Sequence, residues 1–220
     1  MIIINICHKT INYLKLQKLN NFLLYKSNSF LILSQVDPVC TVGLRGAVHD
    51  HVKNLLNVPI VKTNRGGQVT FHGPGQLMIY PIISLRDQGL KVKDYIGILE
   101  DIVIDACKKV NVQAIKTCDT GVWITKDSKI ASIGIHVSKG KTSHGVALNC
   151  NTNLKYFDQI TPCGLSKEKC ITSLEKELHS IITPQQMSPF VIDACNRLLK
   201  VEMHEPNDQE LIKEIENIIS

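Results

Sequence analysis

Four short stretches of this chain carry residue types whose spacing could do chemistry. The first reads Arg65-Gly66-Gly67-Gln68-Val69-Thr70-Phe71-His72-Gly73-Pro74-Gly75-Gln76. Its glycines bring the backbone close to a bound group, where unhindered N–H groups can meet a carbonyl or an anion. Arg65 and His72 add polar side chains to the same wall. The pattern also fits two tight turns bracketing a strand. The second stretch, Lys129-Ile130-Ala131-Ser132-Ile133-Gly134, opens an apolar strand with a lysine. A buried stem there lowers an ammonium pKa and makes the amine usable as a base; a strand-end lysine held in water is the alternative. The third, Ser143-His144-Gly145-Val146-Ala147-Leu148-Asn149, sets a histidine before a run of small residues, suited to a structural hydrogen bond or to catalysis. The fourth, Ile160-Thr161-Pro162-Cys163-Gly164-Leu165, puts a cysteine on a bend. Bends expose side chains, so Cys163 is the best-presented thiol. Cys107, Cys150 and Cys195 fall on apolar faces and read as buried and inert, and Cys170 is the rival.

Elements must position these groups. Residues 29–33, 39–44 and 60–63 read as short strands, and 68–72 and 76–84 as two more, split by the turn signal His72-Gly73-Pro74-Gly75. Apolar residues between 91 and 111 recur at i, i+3, i+4 and i+7, the pattern of an amphipathic helix. Residues 121–125, 129–137 and 145–150 predict an antiparallel meander, followed by a loop-rich stretch over 151–165. Thr183-Pro184-Gln185-Gln186 carries a capping threonine, a first-turn proline and a reciprocal glutamine, which predicts a helix start. Asn207 opens a last amphipathic helix. Strands crowded toward the front and helices at the back indicate an α+β class.

Composition narrows the function. The chain has 220 residues, 44% apolar and 20% charged, enough for one large domain with its own core. No apolar run approaches the ~18–20 residues of a membrane span. Eight cysteines without a C-x-x-C pair exclude a zinc ribbon or a secreted disulfide scaffold, so no metal is expected. No stripe of interleaved basic and aromatic residues suits a nucleic acid. Residues 1–66 hold eight Lys/Arg against two acids, and the rest of the chain is near neutral. Such a front end suits an acidic partner, an organelle leader or a solvated face.

Taken together and in this order, the four stretches resemble the lipoyl(octanoyl) transferase family, the octanoyl-carrier-protein:protein octanoyltransferases. The run SHGVALNCNTNLKYFDQITPCGL is particularly similar to the mitochondrial members. The resemblance covers residues 38–199 and is strongest over 65–178. It implies the biotin/lipoate protein ligase-like fold, a mixed sheet flanked by helices, as one catalytic domain over 29–220. Residues 1–28 match poorly and overlap a possible mitochondrial targeting segment. The family's usual Glu-His pair and tyrosine before a T-x-G are replaced here by Gln35-Val36-Asp37-Pro38-Val39-Cys40-Thr41.

The resemblance also implies roles. Cys163 would carry the acyl group as a thioester, and Lys129 would lower that thiol's pKa and serve as general acid and base. Arg65, Gly66, Gly67, Gln68, Val69, Thr70, Phe71 and His72 would line the acyl pocket with Ser132, Ile133, Gly134, His144, Gly145 and Val146. Val69, Phe71, Ile133 and Val146 are its expected apolar walls, and backbone N–H groups near Cys163 or the Gly66/Gly67 turn its oxyanion donors. The donor would be octanoyl-acyl carrier protein. The acceptors would be lipoyl domains of 2-oxoacid dehydrogenase complexes and the glycine cleavage H protein, in the mitochondrion or, alternatively, in a bacterial cytoplasm. No cofactor is implied, because thioester to amide runs downhill without ATP. Competing readings are an ATP-dependent lipoate or biotin ligase on the same fold, a cysteine hydrolase and a non-catalytic acyl-carrier-binding scaffold.

Overall fold

The computed structural model describes residues 1–47, 58–160 and 169–220. The chain opens with β1 (Ile2–Ile11) and α1 (Tyr13–Leu24), followed by β2 (Phe30–Val36) and β3 (Val39–Val42). Then come β4 (Ile60–Lys62), β5 (Val69–His72), β6 (Gln76–Ile82) and the long helix α2 (Val92–Lys108). The meander follows as β7 (Val122–Thr125), β8 (Ser128–Ser138) and β9 (Lys141–Asn149). A 3-10 turn (Leu154–Gln159), the short β10 (Cys170–Ile171) and α3 (Leu174–Leu178) lead to α4 (Pro184–Leu198) and α5 (Gln209–Ile219).

The strands form two sheets. The larger runs β1-β2-β6-β9-β8-β10, with β7 also paired to β8; the smaller runs β4-β3-β5. The larger sheet is mixed: β1/β2 and β8/β10 are parallel, whereas β2/β6, β6/β9, β8/β9 and β7/β8 are antiparallel. The predicted meander is present, with register Ile133↔Val146 and Gly134↔Gly145.

Both faces of the large sheet are covered, so its central strands are apolar on successive residues rather than on alternate ones. Leu31, Leu33, Leu77, Ile79, Val146 and Leu148 face a core shared with α2 and α4. Phe30, Ile32, Met78, Tyr80 and Ala147 face the opposite way, toward α1 and α5. A third cluster joins the small sheet to the 3-10 turn through Cys40, Val42, Val69, Phe71, Phe157 and Ile160.

The helices start and stop for local reasons. Thr183 Oγ1 accepts from Gln186 N–H at 3.3 Å, and Gln186 Oε1 accepts from Thr183 N–H at 2.8 Å, with Pro184 as the first residue of α4. Asp208, one residue after the expected start, caps α5 through Glu210 and Leu211 N–H. The helix expected over 91–111 closes at Lys108, and Asn111 turns to φ 61° just beyond it.

Residues 1–28 hold β1 and α1. Ile2 pairs with Phe30 and Ile4 with Ile32, while α1 buries Tyr13, Leu16, Leu19 and Leu23. Asn12 caps the helix by accepting from Leu14 N–H at 2.8 Å.

Candidate active site

The two sheets face each other across a narrow cleft. The large sheet supplies its wall in two cross-strand rows. Met78, Ala147 and Ser132 are directly paired neighbours, and so are Gly145 and Gly134. The small sheet and the segment leading into it supply Arg65, Gly67, Gln68, Thr70 and His72. Tyr80, Ile133 and Val146 complete the lining. The free volume is about 30 Å³, room for about two water molecules. At Gly134 the two walls touch: a Cβ there would stand 2.9 Å from the Gly66 carbonyl oxygen and 3.0 Å from Arg65 Cδ.

Two of the expected apolar walls turn away. Side chains alternate along β5, so Thr70 and His72 look into the cleft while Val69 and Phe71 pack in the third core. Phe71 stacks on Tyr156, with ring centroids 4.3 Å apart. The apolar lining that replaces them is Met78, Tyr80 and Ala147. Gly66 N–H donates to the Ile135 carbonyl at 2.8 Å, so that donor is already committed and does not serve as an oxyanion donor.

Arg65 is the charge inside this cleft. It is 6% exposed. Its Nη2 donates to the Thr41 carbonyl at 2.9 Å and to Thr41 Oγ1 at 2.7 Å, and its Nη1 donates to the Gly66 carbonyl at 3.0 Å. No carboxylate lies within 4.0 Å of it among the described residues. Burial, reinforced by this guanidinium, pushes the His72 imidazole down to about 3 and that of His144 down to about 4. Both histidines are therefore neutral near pH 7.

A hydrogen-bond chain sets the His72 tautomer. Asn149 Nδ2 donates to the Thr172 carbonyl at 2.9 Å, so Asn149 Oδ1 is the acceptor for Gln76 Nε2 at 2.8 Å. Gln76 Oε1 is thereby turned to His72 Nδ1, 2.7 Å away, which must be the protonated nitrogen. His72 Nε2 is left as a buried acceptor with no partner among the described residues, as is His144 Nδ1. His144 Nε2 lies 2.7 Å from Asn64 Oδ1. His144 stands inside β9 rather than before it, at φ 57°. Tyr13 stacks parallel to His72 at 5.9 Å, a contribution from the segment that matched the family least. Sequence reasoning missed Gln76 and Asn149 as a pair. Their signal was a polar residue at the edge of an apolar run in each strand, Leu77–Ile79 in β6 and Val146–Leu148 in β9.

Lys129, second residue of β8, is 4% exposed. Its stem is buried and its amine stands over the Trp123 ring, 4.8 Å from the centroid. Trp123 Nε1 donates to the Asp119 carbonyl at 3.0 Å, and Asp119 forms an ion pair with Lys169. Lys129 itself has no carboxylate within 4.0 Å among the described residues. Cys163 lies outside the described residues. The strand that follows it in sequence, β10, pairs Cys170 with Ser128 and Ile171 with Lys129. Of the other thiols, Cys107, Cys150 and Cys195 are buried, and burial pushes all three up, Cys107 to about 12. Cys170 is exposed, as is Cys118.

Comparison with known proteins follows the same lines. The model of the lipoyl protein ligase A/B catalytic domain matches residues 14–196. A mitochondrial octanoyl-[acyl-carrier-protein]:protein N-octanoyltransferase of Danio rerio is 44% identical over 168 residues, covering 74% of this chain and 74% of the relative. A probable octanoyltransferase of Schizosaccharomyces pombe is 42% identical over 168 residues, covering 73% and 77%. Among solved structures, a lipoate protein ligase of T. acidophilum with bound lipoic acid superposes with a TM-score of 0.76 at 13% identity, covering 99% of this chain and 94% of that one. That likeness shows the fold, the mixed sheet with flanking helices expected from the sequence.

Proposed function

Because this chain belongs to the family of lipoyl protein ligase A/B catalytic domains, we propose that it transfers an octanoyl group from octanoyl-acyl carrier protein to a lysine of a lipoyl domain. Cys163 would carry the acyl group between them. The observation that carries this reading is the Lys129 amine, held by a buried stem and free of any carboxylate within 4.0 Å among the described residues. It lies beside the strand that resumes seven residues after Cys163.

A free thiol has a pKa of ~8.5, so only a few per cent is thiolate near pH 7. A nearby ammonium favours the thiolate. The Cys163 sulfur then attacks the donor thioester carbonyl, and the carrier sulfur leaves with a proton from the Lys129 ammonium. The acceptor lysine enters as the neutral amine and attacks the enzyme thioester. Its proton passes to the now neutral Lys129, the new C–N bond completes the amide, and the Cys163 thiolate is released. Protons and charge return to their starting places without ATP.

The cleft suits the acyl group. Seven carbons beyond the carbonyl offer about 5 kcal/mol of transfer energy at ~0.8 kcal/mol each. Met78, Ala147 and Ile133 offer apolar contact, and with His72 neutral Arg65 is the charged group among the described lining residues. The acceptors would be lipoyl domains of 2-oxoacid dehydrogenase complexes and the glycine cleavage H protein. A mitochondrial setting is supported by relatives from Danio rerio and Arabidopsis thaliana described as mitochondrial.

Intact-mass analysis after mixing with octanoyl-carrier protein tests the reading. One added octanoyl unit is expected, labile to hydroxylamine and absent in Cys163→Ala. A lipoate-protein ligase A bound with ATP shares the fold at a TM-score of 0.76, which keeps an ATP-dependent ligase as the second reading. Acyl transfer from free octanoate that requires ATP would establish that reading instead.

A further inference from the structure

The Lys129 side chain reaches its position through a slot made by a glycine. A Cβ built on Gly121 would lie 2.4 Å from Lys129 Cε, 3.0 Å from its Nζ and 2.7 Å from the Ala131 carbonyl oxygen. Real Cβ atoms essentially never approach other heavy atoms below 3.0 Å. Gly121 also stands at φ 126°, where side chains are strained. It is fixed from the other side: its N–H donates to Glu100 Oε1 at 3.1 Å, from the buried face of α2. Two residues later, Trp123 pairs directly with Lys129 across β7/β8 and presents its indole to the amine. Gly121 and Trp123 thus border the lysine along its length.

We propose that Gly121 is a positioning residue for the acyl transfer: by lacking a side chain it opens the slot through which the Lys129 stem reaches the Trp123 indole, and so sets where the amine stands. The inference rests on the acyl-transfer reading in one respect, that Lys129 acts on the Cys163 thiol. Gly121 itself acts through the lysine. Among the described residues, Asp119 and Lys169 beside Trp123 pair with each other, and Glu100 is engaged with Gly121 N–H. Displacing the stem therefore moves the amine without breaking a carboxylate contact of Lys129 within 4.0 Å.

The test uses the full chain and two readouts. The first is the rate of Cys163 alkylation by iodoacetamide at pH 7, resolved by peptide mass, with the exposed Cys118 and Cys170 as internal controls. Lys129→Ala is expected to slow Cys163 alkylation about tenfold, a shift of one pKa unit. Gly121→Ala is expected to slow it at least threefold, with the control thiols unchanged. The double variant should be no slower than Lys129→Ala alone. Wild-type alkylation in Gly121→Ala beside slow alkylation in Lys129→Ala overturns the proposal. Wild-type alkylation in Lys129→Ala instead rejects the pairing of Lys129 with Cys163 and leaves the slot to the second readout. That readout is thermal unfolding: Gly121→Ala should lower Tm more in the wild-type background than in the Lys129→Ala background. Equal losses, or a chain unfolded in both backgrounds, overturn the slot.

Discussion

Two buried cations, Arg65 in the cleft and Lys129 on β8 three residues before the cleft residue Ser132, are held in opposite ways. Arg65 is held by hydrogen bonds: Thr41 and Gly66 accept from its Nε, Nη1 and Nη2, and its planar fork is locked between the two sheets. Lys129 rests on the face of an indole, beside a glycine that leaves room for its stem. A guanidinium keeps its proton in any protein, whereas an amine can give its proton up. The contrast separates a fixed positive wall from a group able to shuttle a proton. Burial first, and Arg65 second, keep His72 in the cleft and His144 neutral rather than available as the acid.

The largest expected break of this contrast is Lys129→Ala. Both the loading of Cys163 and the discharge of its thioester should slow by about 10²- to 10⁴-fold, the span of general acid–base catalysis, as read by rapid-quench intact mass. Lys129→Arg sharpens the point: loading should be retained in part, because the charge remains, and discharge should be lost, because arginine accepts no proton. At the other cation, Arg65→Met leaves the Thr41 and Gly66 carbonyls without donors. A loss of about 2–6 kcal/mol in urea unfolding is expected, from ~1–3 kcal/mol for each of the two orphaned buried groups.

The pH dependence of stability comes next in size. His72 and His144 titrate lower in the folded chain than the ~6.5 of an unfolded histidine. As pH falls, the unfolded chain therefore takes up protons first. Their contribution is complete above about pH 6.5 and is lost as pH drops toward 4 and 3. Urea unfolding at pH 5 should show about 2 kcal/mol less stability per histidine than at pH 7.5, and His72→Gln should remove its share of that slope. The last break is Gln76→Leu. It strands the His72 Nδ1–H and Asn149 Oδ1, each at a cost of about 1–3 kcal/mol. A changed imidazole tautomer in nitrogen NMR would check that the chain, rather than burial alone, sets the ring.

Much of the scaffold was legible because its signals are local. The stripe of α2, the Thr183–Gln186 box of α4 and the turns of the meander each follow from a few neighbouring residues. The first strand and helix were not read, although Asn12 and the apolar residues at 13, 16, 19 and 23 fit a capped amphipathic helix. The strand escapes because its apolar residues recur without a clean alternation, and only its parallel pairing with β2 explains them. The cleft was legible in its polar members Arg65 and His72, and less so in its apolar ones. Val69 and Phe71 look as fit to line a slot as Met78 and Ala147 do.

The residue types and their order by themselves determined the α+β class, the family and the short set of groups able to do the chemistry. Only the tertiary structure decided which of the two faces of each strand meets the cleft. It alone set the glycine before one strand against the lysine stem of the next and turned a histidine by a glutamine and an asparagine on two different strands. The reason is physical. Both faces of the large sheet are covered, so successive side chains are apolar whichever way they point, and facing becomes definite only when a second layer packs on top.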